Sequence, residues 1–228
     1  MADPDAVLPQ QGTYAAAIVA SVQWLFEPYW PGDRLIARLE HGAVTVTDAA
    51  GEPASPEFAE AALLLAAAID ADSAVVDGIW TSQPFVGNGD GARRLAETLV
   101  EEGVVESVPD PSAMETRRAF VAIDLLELDG VPLLDVPFQE RRRLLGSVLA
   151  EDVRVRVSPA VKLPLRPWLD AWRANGFAYY VAKHVNSRYR PGQKVADWLV
   201  ISAEPERPPS VVGRMFGQHP RKLRRIED

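Results

Sequence analysis

The residues of this chain whose types could do chemistry are few, and most are cations or carboxylates of the kind that handle phosphate. Lysine occurs only at Lys162, Lys183, Lys194 and Lys222, so no side-chain amine is available anywhere between Met1 and Ala160. Lys183 with His184, at the end of an apolar run, is the most reactive-looking local pair, although a lone histidine there is more often structural. Asp124, Glu127 and Asp129 form an acidic trio, but Asp129-Gly130 is also ordinary turn chemistry. The run Val86-Gly87-Asn88-Gly89-Asp90-Gly91 suggests a phosphate-cradling loop. It lacks both a preceding strand and the Gly-Lys-Ser/Thr ending, so a surface loop is the better reading. With three histidines and no cysteine, a His-rich or thiolate metal site is not expected. Arg214, His219, Arg221, Lys222, Arg224 and Arg225 make a basic tail, either solvated or available to contact nucleic-acid phosphate.

Bulk properties narrow the classes further. The 228 residues, 47% hydrophobic and 25% charged, suffice for an independent core. A net charge of −8 argues against a whole-surface nucleic-acid binder, because phosphate neutralisation needs clustered Lys and Arg. The early apolar stretch Ala15–Ala20 is too short to span a bilayer and follows Asp3 and Asp5 rather than a basic region. Neither membrane insertion nor a secretory signal is expected, and a cytoplasmic location follows as the default.

The elements that must position these groups are legible in the patterning. Residues 1–13 read as an irregular lead-in. Arg34–Glu40 and Ala43–Thr47 are β-rich and joined by His41-Gly42, a hairpin turn. Pro56 opens a helix through the alanine- and leucine-rich run to Ile69, and Ser73–Asp77 is a short buried strand closed by Gly78. Ala92–Glu101 reads as a helix and Phe120–Glu127 as a strand. Phe138–Leu149 has helical spacing, with Leu144, Leu145 and Leu149 on one face and Glu140, Arg141 and Arg142 off it. Val153–Val157 is a half-exposed strand, Pro167–Ala174 a helix, and Phe177–Lys183 and Trp198–Ser202 are the last strands. Trp24, Trp30, Trp168, Trp172 and Trp198 read as packing residues, Trp168 and Trp172 sharing a helix face. Neighbouring strands look like hairpins, which favours an α+β fold of antiparallel sheets flanked by helices. Residues 1–204 form the domain, and the Pro-containing linker and basic tail occupy 205–228.

Three blocks in order carry a resemblance. In Phe120–Leu145 a strand ends in Asp-Leu-Leu, turns at Asp-Gly and leads into a helix opening with Glu-Arg-Arg. In Asn175–Ile201 a valine-containing strand ends in lysine, followed by Ser-Arg-Tyr-Arg-Pro-Gly and a Trp-led strand. The third block is Phe26–Glu52. Together they resemble the adenylation domain of ATP-dependent DNA ligases, within the covalent nucleotidyltransferase superfamily that also holds capping enzymes. The resemblance implies the ligase/capping-enzyme fold and a chemistry in which a lysine amine attacks the α-phosphate of ATP. That amine must be neutral. Carboxylates would hold metal and ribose, an aromatic ring would stack on adenine, and lysines would neutralise phosphate.

Mapped onto this chain, that machinery is altered position by position. Glu27-Pro28-Tyr29-Trp30-Pro31-Gly32-Asp33-Arg34 places Tyr29 at the nucleophile, while Arg34 is kept. A phenol with a pKa near about 10 is a poor substitute. Asp77-Gly78-Ile79 puts Ile79 where the metal-linked carboxylate belongs, and Ile123 stands at the adenine-stacking position. Ala178-Tyr179 replaces Glu-Gly, so Tyr179 or Tyr180 is a candidate to fill the vacated space, and Lys183 survives. Trp198-Leu199-Val200-Ile201-Ser202 lacks both lysines of the last strand. Relatives of this kind carry a C-terminal OB-fold, and the residues after Pro205 are too few for one. The expectation is a ligase-like pseudoenzyme with a vestigial nucleotide pocket of Tyr29, Arg34, Asp77, Ile79, Ile123, Ala178 and Lys183. It would bind or scaffold, in DNA repair, with a protein partner, or a nucleic acid through the tail. No cofactor is expected. The alternative is a divergent active nucleotidyltransferase, or a non-covalent nucleotide or nucleic-acid binder, in which case ATP and magnesium apply.

Overall fold

Two central strands buried on both faces organise the molecule. The computed structural model describes residues 7–17, 21–83 and 118–204. The glycine-rich run 86–91, the helix expected over 92–101, the linker beyond Glu204 and the basic tail lie outside them.

β5 (Ser73–Thr81) and β6 (Ala119–Leu128) are buried along nearly their whole length, the signature of strands covered on both sides. They pair antiparallel inside a sheet that also holds β3 (Asp33–Glu40), β4 (Ala43–Thr47) and β7 (Val131–Pro132), in the order β4-β3-β5-β6-β7. The short β8 (Val155–Val157) joins β6 in parallel. A four-stranded sheet in the order β1-β10-β9-β2 packs against it, built from β1 (Gln11–Ala15), β2 (Trp24–Pro28), β9 (Tyr179–His184) and β10 (Lys194–Ser202). Between the sheets Ile36, Val75, Val121 and Leu126 meet Tyr189 and Trp198. Helices α1 (Ala59–Ala68) and α2 (Phe138–Val148) cover the outer face of the larger sheet, where Leu65 and Leu145 pack with Trp80 and Phe120. Helix α3 (Arg166–Ala174) sets Trp172 against Phe26 and Tyr180 outside the smaller one. Among the described residues no helix is long and apolar enough to cross a membrane.

The α+β class and the antiparallel hairpins stand, with two parallel exceptions at β1–β10 and β6–β8. The His41-Gly42 turn has φ of 48° and 81°, the left-handed pair that a two-residue hairpin of matching twist requires. Other expectations are corrected. β1 begins inside the segment read as lead-in; it is a short, polar edge strand and carries no alternation to betray it. Patterning does not reveal β2, although Leu25, Phe26, Glu27 and Pro28 are all buried. Strand β8 starts at Val155 rather than Val153. Trp168 is 45% exposed while Trp172 is 6%, so the two do not share a buried face.

Gly78 does not close its strand. β5 runs through it to Thr81, and a Cβ at Gly78 would run into the Phe120 ring and lie 2.9 Å from the Val121 carbonyl oxygen. The missing side chain permits close approach to β6 and marks no turn. Gly78→Ala is therefore expected to cost about 1–3 kcal/mol by overpacking. A urea midpoint unchanged from wild type would contradict that.

Candidate functional site

The two sheets enclose a cavity of about 130 Å3. Five of the residues expected at the vestigial pocket line it: Tyr29, Arg34, Ile79, Ile123 and Lys183. They converge because β2 and β9 are adjacent in one sheet while β3, β5 and β6 are adjacent in the other. Asp77 lies behind Arg34, fully buried, accepting from Arg34 Nε at 2.5 Å and from Nη2 at 2.6 Å. Ala178 is not on the wall; its carbonyl takes the Ala203 amide at 2.9 Å where the chain approaches β9. Tyr180 turns to the opposite face, into the core around Phe26 and Trp172. Tyr179 stays outside the cavity wall, 41% exposed, edge-on to Tyr29 and Tyr14 at 6.2 Å each. Neither fills the cavity.

Lys183 is the chemically decisive group. Its ammonium donates to Glu27 Oε2 at 3.0 Å and to the Ile123 carbonyl at 3.0 Å. It also sits 4.2 Å from the Trp198 ring centre and 4.8 Å from that of Phe138. Burial lowers the lysine's pKa, against the opposing charges of Glu27 and Asp124. Lys183 is 1% exposed, and two of its three donors are spent on Glu27 and the Ile123 carbonyl. His184 points elsewhere, edge-on to Trp24 at 5.2 Å.

Glu27 is a site residue that motif reading alone does not single out. It is 1% exposed and serves Lys183 on one oxygen and Arg142 Nη1 on the other at 3.4 Å. The sequence did carry a signal for it: one carboxylate in the apolar run Trp24-Leu25-Phe26. Arg141 overturns its expected place off the apolar face. It is fully buried and forks onto Asp124 at 2.8 Å and 2.7 Å. The acidic trio is correspondingly dispersed, Asp124 going to Arg141 and Glu127 accepting from Ser73 Oγ at 2.8 Å. Asp129 Oδ1 takes the Asp72 amide at the turn, at 2.9 Å. Asp77 and Asp124 are register partners on adjacent central strands, and each has its own arginine. The register is irregular there, which re-aims side chains locally.

Tyr29, at the mouth, is 40% exposed, and its hydroxyl pKa is raised by partial burial and by Tyr14, against Arg34. Tyr189 donates to Asp77 Oδ2 at 2.7 Å, and burial, then the Asp77 charge, push its pKa well above the usual tyrosine range. Above about pH 10 the unfolded chain ionises this phenol while the folded one keeps its proton, so stability falls as pH rises. Tyr189→Phe should flatten that alkaline slope in urea unfolding followed against pH. An unaltered slope would contradict the assignment.

Several groups that the resemblance implies are missing from the cavity wall. No lysine stands at the mouth, Ile79 presents methyl groups where a carboxylate is needed, and Lys183 is committed to Glu27. Among the described residues no three of His, Cys, Asp and Glu converge as a metal site.

Fold and cavity together define a nucleotidyltransferase-type domain of the ligase class. The ATP-dependent DNA ligase domain family matches residues 13–201, and the chain belongs to that family. It is 31% identical over 198 residues to the multifunctional non-homologous end joining DNA repair protein LigD of Mycobacterium tuberculosis. That match covers 85% of this chain but only 23% of LigD. The crystal structure of the M. tuberculosis LigD ligase domain superposes with a TM-score of 0.61 at 27% identity, covering 87% of this chain and 60% of that one. A mycobacterial DNA ligase D complexed with ATP and MES gives 0.64 at 27% identity, over 88% and 61%.

Proposed function

We propose that this chain is a ligase-family domain that does not take adenylate covalently and that serves as a binding or scaffold protein linked to DNA repair. The observation that carries the reading is at the cavity: Tyr29 occupies its mouth, and its one lysine, Lys183, is ion-paired to Glu27. A raised phenol pKa leaves Tyr29 protonated at neutral pH, and Lys183 offers no free amine. The repair link rests on the function named for the LigD relatives. A protein partner, or nucleic acid at the basic segment Arg214–Arg225, is the proposed contact.

The test is incubation of the full chain with labelled ATP and magnesium, followed by acid precipitation and intact-mass measurement. The expected result is no acid-stable adduct. An adenylate on any side chain would overturn the proposal.

Arg34 and Lys183 on the wall favour a second reading, non-covalent nucleotide retention. Size weighs against it: about 130 Å3 is well below the roughly 300–1,000 Å3 of ordinary ligand pockets. Millimolar ATP is expected to leave the melting temperature unchanged, and a clear upward shift would establish the second reading.

A further inference from the structure

A second, larger cavity lies beside the first, with Trp30 as the shared wall. Its volume of about 420 Å3 falls within the range of small-molecule sites, roughly 300–1,000 Å3. Arg142 and Gly146 of α2 line one side, and Glu151, Arg156 of β8 and Pro159 the other. We propose that this groove binds a singly charged aromatic carboxylate, its ring against Trp30 and its carboxylate between Arg142 and Arg156.

Four observations support that chemistry. Arg156 is only partly exposed and, among the described residues, its side chain has no hydrogen-bond or ion-pair partner, so its guanidinium is uncommitted. Arg142 is anchored by Nη2 to the Ser158 carbonyl at 2.5 Å and touches Glu27 only at 3.4 Å, leaving other N–H donors for a ligand. Trp30 is held as a fixed plane, its Nε1 donating to Ser158 Oγ at 3.0 Å and its ring edge-on to Phe177 at 4.9 Å. Gly146 leaves the helix side open, since a Cβ there would meet nothing within 4 Å. Guanidinium forks match carboxylates in plane, and a flat ring suits an indole wall. The charge count sets the valence. With Glu27 matched by Lys183, the two arginines less Glu151, which accepts the Val157 amide at 3.0 Å, leave one positive charge for the ligand to balance.

Benzoate is the probe, with acetate as the ringless control and phenyl phosphate as the more highly charged one. Binding to the full chain is followed at the Trp30 indole N–H resonance, assigned with Trp30→Phe. Benzoate should shift that resonance saturably, with acetate at least about tenfold weaker because it leaves the aromatic wall unused. Arg156→Gln should weaken benzoate about tenfold by removing a charged donor pair. Gly146→Leu, which fills the groove without touching a charge, should abolish binding while leaving the melting curve intact. No saturable shift, equal affinity for acetate, tighter binding of phenyl phosphate, or indifference to both variants would each overturn the proposal.

Discussion

Arg141→Met is expected to lower stability by about 3–5 kcal/mol, because it strands a fully buried carboxylate. Arg141 is the junction of three segments. Its Nε and Nη2 fork onto Asp124 in β6, while Nη1 donates to the Val136 carbonyl at 2.6 Å and the Ser187 carbonyl at 3.1 Å. The guanidinium also lies 5.7 Å from the Phe138 ring centre and 5.8 Å from that of Tyr189. Burial already raises the Asp124 pKa, with the Arg141 hydrogen bonds and charge pulling the other way. Removing Arg141 raises it further. The carboxyl then takes a proton in the folded state, at a cost that vanishes once the solution is acidic enough to protonate the unfolded chain as well. The deficit should therefore shrink as pH falls from neutrality toward about 4. Asp124→Leu combined with Arg141→Met should recover most of the loss, since a buried pair replaced on both sides by apolar groups is commonly near neutral. Urea midpoints for the three variants decide it. A single-variant loss below about 1 kcal/mol would mean that water reaches the pair.

The same pair shows what the chain reveals on its own. Strands β3 and β4, the Asp129-Gly130 turn and helix α2 are encoded locally, in alternation, turn chemistry and helical spacing, and patterning finds them. The side of α2 to which Arg141 turns is not local information. It depends on Asp124, seventeen residues earlier, occupying the central strand beneath it. Asp77 and Asp124 break otherwise apolar runs, and such a break announces a buried partner without naming it. The convergence of Tyr29, Ile79, Ile123 and Lys183 on one cavity is legible through motif order, because their spacing follows the strands that bring them together. Ala178 failed because a residue just before a strand need not face the cavity that the strand lines. Glu27 lies two residues before Tyr29 in the same motif, and nothing local names its buried partner. Its role depends on pairing with β9, where Glu27 lies opposite Val181, two residues from Lys183.

Glu27→Gln should both destabilise the fold and expose whatever reactivity Lys183 retains. The substitution keeps the shape of the side chain but removes the charge nearest the Lys183 ammonium, at 3.0 Å. It leaves a cation among the Trp198 and Phe138 rings with the Ile123 carbonyl and the more distant Asp124 as compensation. A loss of about 2–4 kcal/mol is expected, somewhat under that for a fully stranded buried charge because these contacts persist. Burial depresses the Lys183 pKa in the wild type, and without Glu27 the largest opposing charge is gone. Over the interval between the lowered folded value and the ordinary lysine value, the unfolded chain holds a proton that the folded one lacks. Stability of the variant should thus climb with rising pH through that interval, more steeply than in the wild type. The functional consequence is sharper. A neutral amine on the wall of this cavity is the state from which adenylation would start. Glu27→Gln is still expected to give no adenylate with ATP and magnesium, because Ile79 supplies no metal carboxylate and the last strand lacks its lysines. Adenylate found on Lys183 in this variant, and lost on Lys183→Met, would mean that the ion pair restrains a competent nucleophile, and the chain would have to be reclassified as an enzyme held in check.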